Sequence, residues 1–394
     1  SLFGRWVHMI TGIAWIGSSF YFVWLDNHLH APRDPELARK GVAGELWAVH
    51  GGGFYNAQKY QTAPATLPPT LHWFYWEAYS TFLSGVFLLV LLYFGQAEVY
   101  LIDPAVAALS KTAAIVIAIT FLIGGWLVYD LLCRTALARH GLWLAAVVSV
   151  LLSVAAWGLC QLFSGRGAFI NFGAMIGTIM VANVFFVIIP GQREMVRAKQ
   201  EGREPDPESG RRGKLRSVHN TYFTLPVLFT MISNHYATTF GSHWNWLVLI
   251  AMCAAGALIR AWFVARHKAD ERGGRTPWWT AALGLALLAA VVVALAPAAP
   301  TASTSTASPQ QEFARIQAII QVRCVSCHAA APTQPGFAVA PKGMKLETPE
   351  QILAHLPLIQ TQVATRVMPV ANLTAMTDVE RADLLQWIQH GAPR

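Results

Sequence analysis

The sequence predicts an all-α protein: a polytopic membrane helix bundle of eight transmembrane helices, followed by a small α-helical domain. Two observations carry this prediction. Of the 394 residues, 54% are hydrophobic and only 13% are charged, whereas a soluble globular chain carries about 25% charged residues. Eight runs are also apolar over about 20 residues, the length that crosses a bilayer. Because the runs do not alternate apolar and polar residues, helices rather than a barrel are predicted to span it.

The eight spans are placed by their apolar runs. The first is interpreted as a span rather than a signal peptide, because the run is too long and no small-residue cleavage site follows it. The predicted spans are 4–25, 72–94, 107–130, 142–163, 169–190, 219–240, 244–264 and 278–297.

Basic residues in the connecting loops predict the orientation. Eighteen Lys and Arg fall in alternate loops, at 26–71, 131–141, 191–218 and 265–277. The other side has only Arg5, Lys111 and Arg166. Loops rich in Lys and Arg stay in the cytoplasm, so both ends of the bundle are predicted outside it. The formal net charge of +8 is therefore interpreted as topology within a lipid bilayer, and no nucleic-acid partner is predicted.

A change in composition divides the chain. Residues 1–297 form the predicted membrane domain, and 298–309 are a linker of Pro, Ser, Thr and Ala without an apolar pattern. Residues 310–394 have the polarity of an ordinary small domain. Apolar residues at helical spacing predict its first helix, and a capping box from Thr377 to Glu380 predicts the start of its last.

The small domain contains the sequence Cys324-Val-Ser-Cys327-His328. Two cysteines at this spacing can form thioether bonds to both vinyl groups of one haem, and the next histidine then reaches the iron. A redox dithiol or half of a zinc site are the alternatives. Neither needs a histidine at that offset, and no second cysteine pair exists. The motif therefore predicts a covalent haem c with His328 as an iron ligand.

Methionines further along the domain are candidates for the sixth iron ligand. Met368 is favoured over Met344 and Met376 because the following Pro369 holds the backbone in a non-helical loop. The Cys-x-x-Cys-His motif and the stretch MPVANLTAMT after residue 367 resemble class I cytochrome c domains. That resemblance implies haem attachment outside the cytoplasm, in agreement with the loop charges.

Histidines in the membrane domain suggest further sites, because ionisable groups inside a span are costly. His8 and His235 are predicted at similar depth in two spans, where they would hold a haem b between them or be two hydrogen-bonded interfacial side chains. At the other side, His72 and His219 would bind a second haem b, line a substrate site, act as bases or face the lipid headgroups.

Three more residues are catalytic candidates. Glu77 lies in an aromatic apolar stretch that favours its proton-carrying form and suits it to proton transfer. His50 is followed by three glycines, which allow a planar ligand or an anion to approach the backbone, or form a plain turn. Lys59 in the same loop is a candidate for holding an anion.

Two stretches are distinctive: RWVHMITGIAWIGSSFYFVWLD at 5–26 and GELWAVHGGGFY at 44–55. With the eight spans and the tail, they resemble the bacterial membrane-bound urate oxidase family. The resemblance implies oxidation of urate to 5-hydroxyisourate without hydrogen peroxide. It implies electrons passing to cytochrome c and on to a soluble cytochrome or a terminal oxidase. The implied location is the inner membrane, with the tail in the periplasm.

The first span is also similar to small membrane proteins that bind haem b, through the pattern His8-x6-Trp15-x-Gly17. The alternative function is a quinol–cytochrome c electron-transfer module without small-molecule chemistry of its own. A transporter with a redox tail is disfavoured, because two matching halves with Gly- or Pro-interrupted spans are missing from the sequence.

Overall fold

A computed structural model describes residues 2–272, 274–296, 308–335 and 337–393. The described chain is mostly helical. Its α-helices are α1 Leu2–Asn27, α2 Pro35–Arg39, α3 Trp76–Leu88, α4 Ala97–Tyr100, α5 Lys111–Arg134, α6 Gly141–Leu162, α7 Gly165–Asn183, α8 Ile189–Gln200, α9 Pro207–Ser233, α10 Ala237–Phe240, α11 Asn245–Arg272, α12 Trp278–Ala294, α13 Pro309–Arg323, α14 Pro349–Ala354, α15 Leu356–Ala364 and α16 Asp378–Gln389. Two π-helical segments continue α3 and α7, at Leu89–Phe94 and Val184–Ile188.

Six described helices are long and apolar enough to cross a membrane: Leu2–Asn27, Trp76–Phe94, Lys111–Arg134, Gly141–Leu162, Gly165–Gln200 and Asn245–Arg266. The other two predicted positions are helical as well. There, α9 is 27 residues long but begins with a charged stretch, and α12 is apolar but has 17 residues. Length and composition therefore support six of the eight predicted spans.

Two of the differences between predicted and observed helix ends change the position of a candidate histidine. The second span was predicted from residue 72, but α3 begins at Trp76 and leaves His72 in the preceding loop. The sixth was predicted to reach residue 240, but α9 ends at Ser233. A sharp turn at Asn234–Tyr236 and the short α10 follow it. His235 therefore lies in a turn rather than in a spanning helix.

The loop after α1 contains a β-hairpin, which corrects the all-α prediction. Strands β1 (Val42–His50) and β2 (Gly53–Tyr60) pair antiparallel, with His50 opposite Gly53. Gly51 and Gly52 form the two-residue turn with φ of 57° and 80°. Positive φ at both positions is typical of a type I′ turn, whose twist matches that of the flanking strands. The glycines after His50 are therefore required by the turn.

Helix α7 lies at the centre of the bundle and is buried over most of its length. Small residues let its neighbours approach closely, as is usual between membrane helices. A side chain at Gly173 would collide with Thr230 of α9, and one at Gly125 of α5 would meet Met175 of α7 at 2.6 Å. The main apolar core of the bundle surrounds these contacts.

The tail helices α13 to α16 enclose an apolar core of their own, with Ile316, Leu384 and Trp387 fully buried. The predicted capping box is confirmed: the Thr377 side chain accepts from the backbone of Glu380, whose carboxylate accepts from the backbone of Thr377. The predicted linker, 298–309, lies almost entirely outside the described residues.

The tail contacts the bundle near α4 and α10. The Thr365 carbonyl lies 2.6 Å from where a Gly241 side chain would begin, so glycine is needed for this approach. We call this the tail end of the bundle. The opposite end, which carries the β-hairpin, α8 and the start of α9, is the hairpin end.

Candidate functional site

A buried polar network lies at the hairpin end, between α5, α7 and α9. The last turns of α5 supply Tyr129 and Asp130, α7 supplies Asn183 from its last residue, and α9 supplies the remaining members. Residues four apart on a helix share a face, so Arg216 and Asn220 both point from α9 toward α5 and α7. The members are Tyr129, Asp130, Asn183, Arg216, His219 and Asn220. All but the half-buried His219 are buried.

Arg216 holds the centre of this polar network. Its guanidinium donates to Asp130 Oδ1 at 2.6 Å and to Asn183 Oδ1 at 3.3 Å. It also lies over the Tyr129 ring, 4.9 Å from the centroid. The second carboxylate oxygen of Asp130 accepts from Arg134 at 2.6 Å. Because buried charges are costly unless paired, this ion pair is what allows Arg216 to lie 4% exposed inside the bundle.

A phenol and an imidazole meet at the edge of the polar network. Tyr129 Oη lies 2.7 Å from His219 Nδ1 and accepts a longer bond, 3.4 Å, from Asn183. The Asn183 amide also donates to Asn220 at 3.0 Å, and Asn220 donates to the Met180 carbonyl. The amides thus fix the tyrosine in place, and the Tyr129–His219 pair can pass a proton along its hydrogen bond.

A cavity of about 660 Å³ opens beside the polar network at the hairpin end. Asp130 and Arg216 form part of its wall. Its other charged lining residues are Arg134, Arg139, Glu194, Glu208, Arg211 and Arg212. Five arginines against three carboxylates leave it positive, so it attracts anions. The cavity has room for a small molecule together with water.

The predicted catalytic residues do not come together in the structure. His50 is exposed at the hairpin turn. Lys59 forms an ion pair with Asp26 of α1, which also faces Lys214 at 3.4 Å. Glu77 lies in the first turn of α3, where its buried Oε2 meets no hydrogen-bond donor among the described residues. Lys59 thus joins the hairpin to α1 and α9.

The predicted membrane-domain histidines have different surroundings. His72 is exposed and its ring packs against Phe74, with centroids 4.6 Å apart. His8 Nδ1 lies 3.0 Å from the Thr81 carbonyl, which can only accept, so Nδ1 carries the hydrogen and Nε2 remains available. A histidine held in this way suits metal ligation. His235 is exposed in its turn. Within the described chain no hydrogen bond or ring contact joins His235 to His8, and a haem b between them stays a prediction.

The tail residues fit a covalent haem. His328 is 8% exposed, and its Nδ1 donates to the Met344 carbonyl at 3.0 Å, which leaves Nε2 for a metal. Met344 therefore positions the histidine through its backbone. Burial raises the pKa of the Cys324 thiol to about 12 and also raises that of Cys327. Protonated thiols are poor redox nucleophiles, which weighs against a dithiol function.

The Met368 loop is held by a neighbouring arginine. Arg381 of α16 donates to the Met368 carbonyl at 2.6 Å and to the Val363 carbonyl at 3.2 Å. Nearby Asp103, in the loop after α4, has its pKa raised by burial, while Arg381 opposes that rise. The described residues contain no group of three or more His, Cys, Asp or Glu side chains that could hold a metal ion. The haem ligands therefore remain predictions.

Sequence reasoning missed Tyr129, Asp130 and Arg216. Arg216 was assigned to a loop and counted toward topology, although it lies in α9 next to the His219-Asn220 pair. Asp130 ends the third predicted span and was detectable as a carboxylate in an apolar run. The two residues are 86 positions apart, so only tertiary packing shows that they pair.

Comparison with known protein families gives a match that covers the bundle. The family model described as "Urate oxidase N-terminal" matches residues 1–296. The chain belongs to the urate oxidase N-terminal family. No curated protein and no solved structure matches the chain. The family match covers α1 to α12, including the buried polar network and its cavity, and ends before the tail. It supports a urate oxidase-like oxidoreductase acting on urate.

Proposed function

We propose that this protein oxidises urate to 5-hydroxyisourate in its membrane bundle and passes the electrons to a haem c in its tail, without forming hydrogen peroxide. The observation that carries the proposal is the urate oxidase family match over the whole bundle. Within that bundle, a positive cavity lined by Asp130 and Arg216 lies beside the polar network that contains the Tyr129–His219 pair.

The chemistry sets what the site must do. Urate is a monoanion at neutral pH. Its conversion with one water to 5-hydroxyisourate releases one proton and two electrons. A site for this reaction must attract an anion, accept a proton and leave room for water. The five arginines of the cavity wall provide the attraction. His219 accepts the proton, and Tyr129 and Asn183 fix its ring.

The tail supplies the electron acceptor in this proposal. Cys324 and Cys327 would bind the porphyrin, and His328 and Met368 would ligate its iron. When bound, this haem accepts electrons one at a time and has a potential raised by methionine ligation. Arg381 and the Met344 carbonyl hold the two ligand segments in place. Thr365 and Arg366 of the same domain contact the bundle at Gly241, so the tail packs directly on the tail end of the bundle.

The proposal includes a location and a final acceptor. The arginine-rich hairpin end faces the cytoplasm, and the tail lies in the periplasm across the bacterial inner membrane. Several apolar helices support membrane insertion. From the tail, electrons pass to a soluble cytochrome c or a terminal oxidase. A haem b held by His8 and His235 would bridge the bundle and the tail.

An assay of the purified, haem-loaded protein tests the proposal. Urate is supplied together with oxidised soluble cytochrome c. We expect urate loss, two cytochromes reduced per urate and no effect of catalase. If urate is untouched while a quinol analogue reduces the tail haem, the proposal is wrong and the quinol–cytochrome c function replaces it.

A further inference from the structure

Arg260 lies on α11 within the membrane-spanning stretch Asn245–Arg266. Its position is 15 residues from the start of that stretch and six residues from its end, about 22 Å and about 9 Å along the axis. A charged residue inside a span is costly and usually has a function.

The Arg260 guanidinium points into the bundle rather than toward lipid. One turn earlier on the same helix face, Gly256 packs directly on α9, with Leu225 Cβ only 3.0 Å from where its side chain would begin. The guanidinium itself lies 3.9 Å from the centre of the Phe20 ring on α1. Trp262, two residues further, lies on the opposite side of α11 and packs against Trp278 of α12. Arg260 therefore occupies the junction of α1, α9 and α11.

The polar groups at this junction have no hydrogen-bond partners in the described chain. Arg260 Nε is buried and has no hydrogen-bond acceptor, and no carboxylate forms an ion pair with its guanidinium. Tyr222 of α9 is close enough to interact electrostatically with it, yet its hydroxyl makes no hydrogen bond to the described residues. Arg260 is half-buried, and a buried Nε without an acceptor on such a cation points to a missing anion.

We propose that Arg260, Tyr222 and Phe20 form a binding site for a planar oxopurine anion. This site would hold the substrate of the reaction proposed above. This inference rests on the proposed function. A guanidinium presents parallel donors that match two acceptors on the edge of a planar anion, and a phenol adds a third donor. The guanidinium face packs on the Phe20 ring, and this contact fixes the orientation of the plane in which the donors lie.

The position of the junction also suits the reaction. Tyr222 follows His219 by three residues on α9, so the two side chains are neighbours on that helix. An anion held by Arg260 and Tyr222 would thus lie beside the imidazole that accepts the proton. The anion would approach through the positive cavity at the hairpin end, and Arg260 would bind it.

Direct binding tests the site apart from catalysis. Urate binding is measured on the fully reduced protein under argon, because no acceptor is then left for the electrons. Arg260→Met is expected to raise the Kd about tenfold or more, as loss of hydrogen bonds to a charged group does. Tyr222→Phe should raise it several-fold. Arg260→Lys keeps the charge without the fork and should fall between the wild type and Arg260→Met. Arg266→Gln, an exposed arginine on the same helix, is the matched control and should leave Kd unchanged.

Thermal unfolding without urate separates binding from a structural role. Because the buried Arg260 Nε has no acceptor among the described residues, removal of the side chain should leave the Tm unchanged or raise it. A lower Tm in Arg260→Met together with an unchanged urate Kd would overturn the proposal. If wild-type protein neither binds nor oxidises urate, the proposed function fails. If it does both and Arg260→Met binds equally well, only the present inference fails.

An anionic lipid headgroup offers the same chemistry as the oxopurine. The binding measurement is therefore repeated in membranes with and without an anionic phospholipid. If urate is the ligand, the tenfold difference between wild type and Arg260→Met persists in purely zwitterionic lipid. If the anionic phospholipid raises the Tm of wild type but not of Arg260→Met, and urate affinity does not depend on residue 260, the site binds lipid and the proposal is wrong.

Discussion

The buried polar network depends on Arg216. Among the described residues, its charge is balanced by the Asp130 carboxylate alone. Asp130 and Arg216 are both almost fully buried and lie 2.6 Å apart. Removing Asp130 leaves the Arg216 charge unpaired inside the bundle, and removing Arg216 leaves the buried Asp130 with only the largely exposed Arg134. We expect Arg216→Met to lower the free energy of unfolding by about 3 kcal/mol or more.

The double variant Asp130→Leu, Arg216→Met tests this reason. It removes both charges, so we expect it to unfold at a higher temperature than Arg216→Met alone. Thermal denaturation of the three proteins in one detergent gives the comparison. A double variant whose loss equals the sum of the two single losses would show that the pair is not coupled.

Tyr129 fixes the imidazole that accepts the proton in the proposed reaction. Tyr129→Phe removes the 2.7 Å bond to His219 and retains the ring. We expect kcat for urate to fall about 100-fold, the lower end of the usual contribution of a positioned acid–base group, and its pH profile to shift. Tyr93→Phe is the matched control, because it removes a tyrosine–amide bond of equal length, to Asn234 at the tail end. If the two variants have equal activity, the site at the hairpin end is misassigned.

At the scale of the elements, the contact between α7 and α9 has no spare space. A side chain at Gly173 would overlap Thr230, whose Cβ would lie 2.8 Å away. Gly177, one turn further on α7, has nothing within 4 Å. We therefore expect Gly173→Ala to cost about 1–3 kcal/mol through overpacking. Gly177→Ala should be neutral or slightly stabilising, because alanine favours helix. Equal Tm values for the two variants would contradict this packing.

The β-hairpin depends on a carboxylate that can be titrated. Glu45 of β1 accepts from the Arg33 backbone at 3.0 Å and from the Asn56 amide at 2.8 Å. The bond from the Arg33 backbone lowers the pKa of Glu45 most, and the bond from Asn56 lowers it further. A lowered carboxyl pKa stabilises the folded hairpin above the pKa of the unfolded chain, and this stabilisation is lost as pH falls through the folded value.

Limited proteolysis between residues 42 and 60 measures the effect. We expect cleavage to increase as pH falls into the acid range of a carboxyl group, with an acid-tolerant protease. Glu45→Gln should be cleaved faster at neutral pH and lose this pH dependence. Cleavage of both proteins that is independent of pH would show that Glu45 does not hold the hairpin.

The hairpin and the helices show what sequence patterns can and cannot predict. Apolar runs located every long helix of the bundle, because burial in lipid requires a run of fixed length. The glycines after His50 were interpreted as a ligand loop or a plain turn, and the hairpin was not predicted, although two glycines between two alternating runs are its usual signal. The start of α3 and the end of α9 were misplaced because aromatic residues continue the apolar pattern before the first helical residue of α3 and past the last one of α9.

At the scale of the whole molecule, the candidate site was only half visible in the sequence. His219, Asn183 and Asn220 were recognisable as polar residues near apolar runs. Their pairing with Tyr129, Asp130 and Arg216 depends on how three helices pack, and neither spacing nor composition encodes that directly. The tail differs, because its proposed haem ligands are local: two cysteines, a histidine and a methionine in short segments whose backbone partners the structure describes.

In the proposed reaction, urate oxidation in the bundle delivers electrons to the tail. Adding urate under argon to the oxidised, purified protein and recording the absorption of c-type haem tests this transfer. We expect urate alone to reduce the tail haem, with two haems reduced for each urate consumed. A tail haem that dithionite reduces but that stays oxidised while urate is consumed would contradict it.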